Sequence, residues 1–403
     1  MNRLLPFLVL NVSLLQAEEW PQFRGPAGQG HSHAEKLPLN WSEEKNILWK
    51  VPVPGSGWSS PVVRSGRIWM TSAQDKGRSL RLACLDLETG KLLHDLEVFR
   101  REDPGSIHSK NSYASPTALL EGDRVYVHYG ANGTAAVSTD GRVLWRNRFE
   151  YEHGHGPGGS PVLFEDLLIV ACDGTDVQYV AALDKESGQV RWKTQRQGYM
   201  AYATPLVIQV GEQTQVVSPG GNQVGAYDPR NGKVIWWITH NGFSGVPRPV
   251  FGHDLVYVIS GYIRPVLYAV RPGGSGDVTE SHIAWKLTRG APLNPSPILV
   301  GDEFYLVSDV GVASCLDAKT GEVHWKQRLP GQFSASPLYG ADRIYFLNET
   351  GETFVVNPRK AFRELARNQV EGRTLASLAV AGETLLLRTD THLYRIEQTS
   401  EEY

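Results

Sequence analysis

One unit recurs along almost the whole chain, and this periodicity constrains the fold more than any other feature. The unit opens on a small residue followed by proline, at Ser60-Pro61, Ser115-Pro116, Ser160-Pro161, Thr204-Pro205, Ser296-Pro297 and Ser336-Pro337, with Arg248-Pro249 as the one large opening residue. The steps between successive prolines are 55, 45, 44, 44, 48 and 40 residues, and an eighth unit starts near Ser377 without the proline. Within each unit an apolar run leads to a Gly or Asp turn and then an alternating strand, such as Arg124-Val-Tyr-Val127. A third strand ends in Asp, a tight turn follows, and a fourth strand carries Trp. The clearest copies are Leu183-Asp-Lys-Glu-Ser-Gly-Gln-Val-Arg-Trp192, Tyr227-Asp-Pro-Arg-Asn-Gly-Lys-Val-Ile-Trp236 and Leu316-Asp-Ala-Lys-Thr-Gly-Glu-Val-His-Trp325.

The motif has a physical reading. Asp accepts hydrogen bonds from turn amides, and Gly supplies the positive φ of a tight hairpin. The Trp ring covers the turn of a neighbouring sheet, and its indole N–H needs one acceptor. Trp49, Trp145, Trp192, Trp236, Trp285 and Trp325 are read as such docking residues. His94 and Leu365 stand at the Trp place of two degenerate copies, and Gly273-Gly-Ser-Gly276 is an insertion in the fifth unit.

Strand counting predicts a closed ring. The eighth unit supplies only about three strands, whereas Ile47-Leu-Trp-Lys-Val-Pro-Val53 resembles a Trp strand with none before it. Pairing the two completes a blade and removes two exposed edges. The predicted fold is all-β: an eight-bladed β-propeller of four antiparallel strands per blade, one domain over residues 18–403, closed by the N-terminal strand. A linear β-solenoid is the alternative, but it leaves the split blade unexplained.

Residues 1–17 read as a secretory signal: Arg3, an apolar stretch from Leu4 to Leu15, then Ala17 at a cleavage point. No cysteine precedes Cys84, so no lipid-attachment residue stands there. The expected location is therefore periplasmic or secreted. Cys84, Cys172 and Cys315 read as buried thiols rather than a disulfide framework. The formal charge of −3 gives no basic field for nucleic acid, and no later apolar stretch reaches membrane-span length.

The Asp-x-x-Thr-Gly-x-x-x-Trp pattern and the opening Trp20-Pro-Gln-Phe-Arg-Gly-Pro26 resemble exported PQQ-like (pyrrolo-quinoline quinone) propeller proteins. The resemblance covers about residues 20–397. That group includes quinoprotein alcohol dehydrogenases and the outer-membrane barrel-assembly lipoprotein. For the dehydrogenases it implies PQQ and calcium, commonly with a disulfide between adjacent cysteines, and here no two cysteines are adjacent.

In a propeller the linkers into the innermost strands rim one mouth of the central channel. Here they carry His108, Lys110, Asn111 and Tyr113, then His153 and His155, then Tyr202 and Arg248. Gathered together they suit a polar or anionic ligand: a glycan, a carboxylate or a peptide end. His153 and His155 could share a metal, but no third ligand is evident, and no metal site is predicted. Lys110 reads more readily as a solvated loop lysine, and Arg248 reads equally as ligand-facing or as paired with an acidic neighbour. The hydrolase, zinc-protease and phosphate-loop motifs are missing.

The expected function is a non-catalytic binding or assembly scaffold, monomeric, with an envelope protein, peptide or glycan as ligand. One alternative is a quinoprotein-like oxidoreductase with PQQ and a metal in the mouth. The other is a glycan-binding or glycan-processing envelope protein using Trp58 and the tyrosines.

Overall fold

The computed structural model describes residues 19–398. The signal reading of residues 1–17 lies outside them. Eight antiparallel sheets of four or five strands follow one another around a ring. Blade 1 is Val62–Arg64, Arg67–Gln74, Ser79–Asp86 and Leu92–Arg100. Blade 2 is Leu119–Glu121, Arg124–His128, Thr134–Ser138 and Val143–Asn147. Blade 3 is Val162–Phe164, Leu167–Asp173, Gln178–Asp184 and Val190–Gln195. Blade 4 runs from Leu206–Val210 to Val234–Thr239, and blade 5 from Val250–Gly252 to Ile283–Leu287. Blade 6 runs from Ile298–Val300 to Val323–Arg328, and blade 7 from Leu338–Gly340 to Glu364–Gln369. Blade 8 combines Ala379–Ala381, Thr384–Arg388 and His392–Ile396 with the N-terminal Ile47–Pro52.

Ring closure is therefore as the strand count predicts. Ile47–Pro52 lies antiparallel to His392–Ile396, with Lys50 opposite Tyr394. The insertion at Gly273–Gly276 adds one feature: Gly276–Asp277 pairs in parallel with Trp236 and Trp237 as a short fifth strand of blade 4.

Burial explains the strand composition. Second strands are covered on both faces by adjacent blades, so Leu255–Ile259 is buried throughout. Fourth strands form the rim, so Val190–Gln195 buries Trp192 and leaves its neighbours exposed. The core consists of layers between blades: Val217, Val224 and Trp236 of blade 4 pack with Val256, Val258 and Val270 of blade 5.

The hairpin motif forms as expected. Asp184 Oδ1 accepts from the Ser187 amide at 2.8 Å and the Glu186 amide at 3.1 Å, while Gly188 has φ +70°. The Trp indole reaches the carbonyl just after the Asp of the next blade: Trp49 to Leu87 (3.1 Å), Trp145 to Lys185 (3.0 Å), Trp192 to Pro229 (2.8 Å) and Trp285 to Ala318 (3.0 Å). Trp325 reaches the Arg359 carbonyl at 3.0 Å. Trp236 differs because blade 5 has the insertion where that hairpin would be, and it donates to Gln215 Oε1 of its own blade at 2.9 Å. His94 replaces Trp in blade 1 and stacks on Trp69. The three cysteines are buried and unbridged, and burial raises their thiol pKa values, Cys84 to about 12 and Cys315 to about 11.

Candidate functional site: a blind well in the channel

The residue that opens each blade has a definite task. In six of the eight blades its hydroxyl accepts the amide of the equivalent residue in the preceding blade, across a gap of about 3 Å. Ser60 N donates to Thr117 Oγ1 (3.0 Å), Thr117 N to Ser160 Oγ (2.9 Å) and Ser160 N to Thr204 Oγ1 (2.9 Å). Arg248 N donates to Ser296 Oγ (3.0 Å), Ser296 N to Ser336 Oγ (2.9 Å) and Ser336 N to Ser377 Oγ (2.9 Å). In blade 2 this place belongs to Thr117, so Ser115-Pro116 is two residues early as the opening of that unit. The residues of this belt, Arg248 apart, form the throat of a cavity of about 600 Å³.

The far end of the channel is closed by the chain's own N-terminal segment. The backbone of Trp20 pairs with Val63 of blade 1, and the Pro21 carbonyl accepts the Leu120 amide of blade 2 at 2.7 Å. Gln29 Oε1 accepts the Phe251 amide of blade 5 at 2.7 Å, and Gly30 and Ser32 bond the backbone of Tyr339 in blade 7. Phe23 faces the cavity and forms its floor. The result is a blind well open only at the linker face.

The predicted mouth residues divide into two groups. His108, Lys110, Asn111, His155 and Tyr202 line the well. Lys110 Nζ is 2.8 Å from Glu349 Oε1 and 3.1 Å from Gln332 Oε1. Glu349 also accepts from Ser334 Oγ at 2.7 Å. Asn111 Nδ2 donates to the carbonyls of His155 (2.8 Å) and Pro157 (3.1 Å), fixing one linker to the next. His155 stacks on Tyr202 with centroids 5.8 Å apart and lies 5.3 Å from the His108 ring. Burial and the nearby His108 lower the His155 pKa, and burial pushes Tyr202 up to about 12.

Tyr113, His153 and Arg248 lie outside the well's lining. The Tyr113 hydroxyl donates to the Gly105 carbonyl at 2.9 Å while its ring packs on Gly77. His153 is buried against Tyr151, and burial lowers its pKa. Arg248 binds the N-terminal segment: its Nη1 donates to the Phe23 carbonyl at 2.7 Å, and among the described residues no acidic side chain pairs with it.

The well also has apolar and aromatic walls. Phe23, Phe243, Tyr262, Met200, Leu293 and Leu375 give it apolar walls. Phe243 and Tyr262 pair through their backbones, and their rings meet edge-on at 5.6 Å. Trp58 faces the well with the Arg373 guanidinium 5.7 Å from its ring. Phe23 belongs to the opening Trp20-Pro-Gln-Phe-Arg-Gly-Pro26 motif, but Phe243 and Tyr262 sit on loops with no periodic signal.

A quinone held with calcium needs carboxylates free to ligate. Near the well Glu349 is engaged by Lys110 and Ser334, and Asp309 by the Leu293 amide and the Asn294 side chain. Among the described residues no three His, Cys, Asp or Glu side chains converge to hold a metal ion. The donor set does not fit that pair.

The sequence matches the family described as outer membrane protein assembly factor BamB over residues 39–148, 100–284 and 277–400. A curated relative, the beta-alanine-activating enzyme of Drosophila melanogaster, is 28% identical over 193 residues. The match covers 44% of this chain and 18% of that protein, so this chain spans less than a fifth of its relative's length. Among solved structures, BamB from Moraxella catarrhalis superposes with a TM-score of 0.61 at 15% identity, covering 87% of this chain and 99% of that one. A europium-containing methanol dehydrogenase gives 0.68 at 11% identity, with 93% and 90% covered. The quinohemoprotein alcohol dehydrogenase from Comamonas testosteroni gives 0.68 at 11%, with 95% and 81% covered. At these identities the structural likeness carries the fold alone. Among the described residues no helix is long and apolar enough to cross a membrane.

Proposed function

The chain belongs to the family described as outer membrane protein assembly factor BamB, and from that premise we propose that it is a non-catalytic binding propeller of the cell envelope. Its well takes an extended peptide segment of a partner protein. The observation that carries this reading is the wall of the well. Phe23, Trp58, Phe243 and Tyr262 offer aromatic surface in a pocket closed at its floor. Aromatic and apolar walls with a few placed polar groups are the usual make-up of a binding pocket. Tyr199, Tyr262 and Ile263 continue the apolar surface outside, at 62%, 49% and 66% exposure. The throat hydroxyls accept neighbouring amides and keep their own protons to offer to peptide carbonyls.

The test is fluorescence anisotropy with labelled peptides of about ten residues that alternate aromatic and polar side chains, the pattern of membrane barrel strands. Aromatic peptides should bind, and Phe243→Ala and Trp58→Ala should each weaken binding by about tenfold or more. Equal binding by all three proteins would place the site elsewhere. Binding of soluble glycans instead of peptides would favour the glycan reading.

A further inference from the structure

Two guanidinium groups are buried at the closed end of the channel, and among the described residues no carboxylate pairs with either. Arg24, from the segment that crosses the channel, is 2% exposed, and Arg248 is 3% exposed. Arg24 Nη2 donates to the carbonyls of Gln29 (3.0 Å) and Pro297 (2.6 Å), but its Nε and Nη1 are buried without a partner. Arg248 uses its donors on the carbonyls of Pro205 (3.1 Å) and Phe23 (2.7 Å) and on Gln22 Oε1 (3.4 Å).

Glycines make room for both groups. A Cβ on Gly28 would overlap the Arg248 guanidinium, and one on Gly30 would stand 2.8 Å from Arg24 Nη2. Burial and the charge on Arg248 together pull Arg24 down to about 9, and Arg24 in turn helps lower His31. Among the described residues, the charged groups acting on Arg24 and His31 are thus all of one sign.

Neutral carbonyls satisfy hydrogen-bond directions but do not cancel charge. A buried guanidinium is costly without a counter-charge, and two near each other repel as well. The free donors on Arg24 show where the missing charge belongs. We propose that the closed end of the channel is an anion site, holding a small monovalent ion of chloride size on Arg24 Nε and Nη1 and within the field of Arg248. This is independent of what the well binds, because Phe23 lies between them as the floor of the well.

An ion that binds only the folded chain raises stability with its concentration. Thermal unfolding should be followed from zero to 0.5 M chloride, with ionic strength held constant by gluconate, which is too large for the site. The midpoint should rise by about 1–3 °C per tenfold increase in chloride. Arg24→Met should remove that response, with Arg248→Met as a second variant in case the first does not fold. Crystals grown with bromide in place of chloride should show an anomalous peak beside Arg24. A flat chloride response in the parent protein, an unchanged response in a folded variant, or a bromide map with no peak at Arg24 would each overturn the site.

Discussion

Lys110 Nζ and Glu349 Oε1 stand 2.8 Å apart, joining the linker into blade 2 to a turn of blade 7 across the sector occupied by blades 8 and 1. The lysine is one-third exposed, so solvent and salt weaken the pair. Lys110→Ala should lower stability by at most about 1 kcal/mol, read from urea unfolding. Peptide affinity should change far more, because the latch lies across the mouth. A stability loss several times larger would mean that the pair belongs to the core rather than to the mouth.

The Trp docking can be divided into ring and N–H. Trp192→Phe keeps most of the packing but leaves the Pro229 carbonyl without its 2.8 Å donor, at a cost of about 1–2 kcal/mol. Trp192→Ala should cost about 3–5 kcal/mol. Gly232→Ala reaches the same joint from the other side. Gly232 has φ +74°, and a Cβ there would lie 2.5 Å from the Trp192 ring. It should therefore destabilise by more than about 1 kcal/mol, the reverse of the gain seen where alanine fits. Chemical denaturation of the three variants checks the order.

Several histidines give stability a defined pH dependence. Burial lowers His128 to about 3, with a smaller push from His153, and lowers His240 to about 4. Both are near 6.5 in the unfolded chain, so on acidification the unfolded state takes up protons that the folded state refuses. Their effect is absent above about pH 7, and stability falls as pH drops from about 6.5 towards 4. Near pH 5 these two groups together contribute a slope of up to about 2.7 kcal/mol per pH unit. His128→Asn should make the slope shallower. Urea midpoints at pH 7, 6 and 5 that do not differ would contradict the assignment.

The belt of opening residues makes a separate prediction. Ser160→Ala removes the acceptor of the buried Thr117 amide and should cost about 1–3 kcal/mol. Ser115 lies outside the belt; its hydroxyl bonds Asn111 and Ser112 within one linker. Ser115→Ala should leave ring stability nearly unchanged. Equal losses in urea unfolding would restore Ser115-Pro116 as the opening of the second unit.

This distinction also shows where sequence reading reaches its limit. The Asp turn, the Trp docking and the shared eighth blade were legible because each is a local pattern repeated at a fixed step. Proline misplaces the second unit by two residues, because the hydroxyl at Thr117, not Ser115-Pro116, makes the joint. The linkers bring His108, Lys110, Asn111, His155 and Tyr202 to the wall of the well. Which way a linker side chain turns depends on the path of its neighbours, so Tyr113, His153 and Arg248 could not be separated from that set. The floor was hidden for the same reason: nothing local in Trp20-Pro-Gln-Phe23 says that it crosses a channel.

The N-terminal segment has two tasks, and truncation can separate them. Residues 19–41 close the channel and bury Trp20, Leu37 and Trp41 against blades 1, 7 and 8. Ile47–Pro52 completes blade 8. A chain starting at residue 42 should keep its ring but unfold at a markedly lower temperature, because it loses three large buried side chains. A chain starting at residue 54 also exposes the edge of His392–Ile396, an unpaired strand able to recruit another copy. It should elute as oligomers or aggregates in size-exclusion chromatography, while the longer truncation product remains monomeric. If the chain lacking residues 1–53 stays monomeric and as stable as the parent, the N-terminal strand does not hold the ring closed.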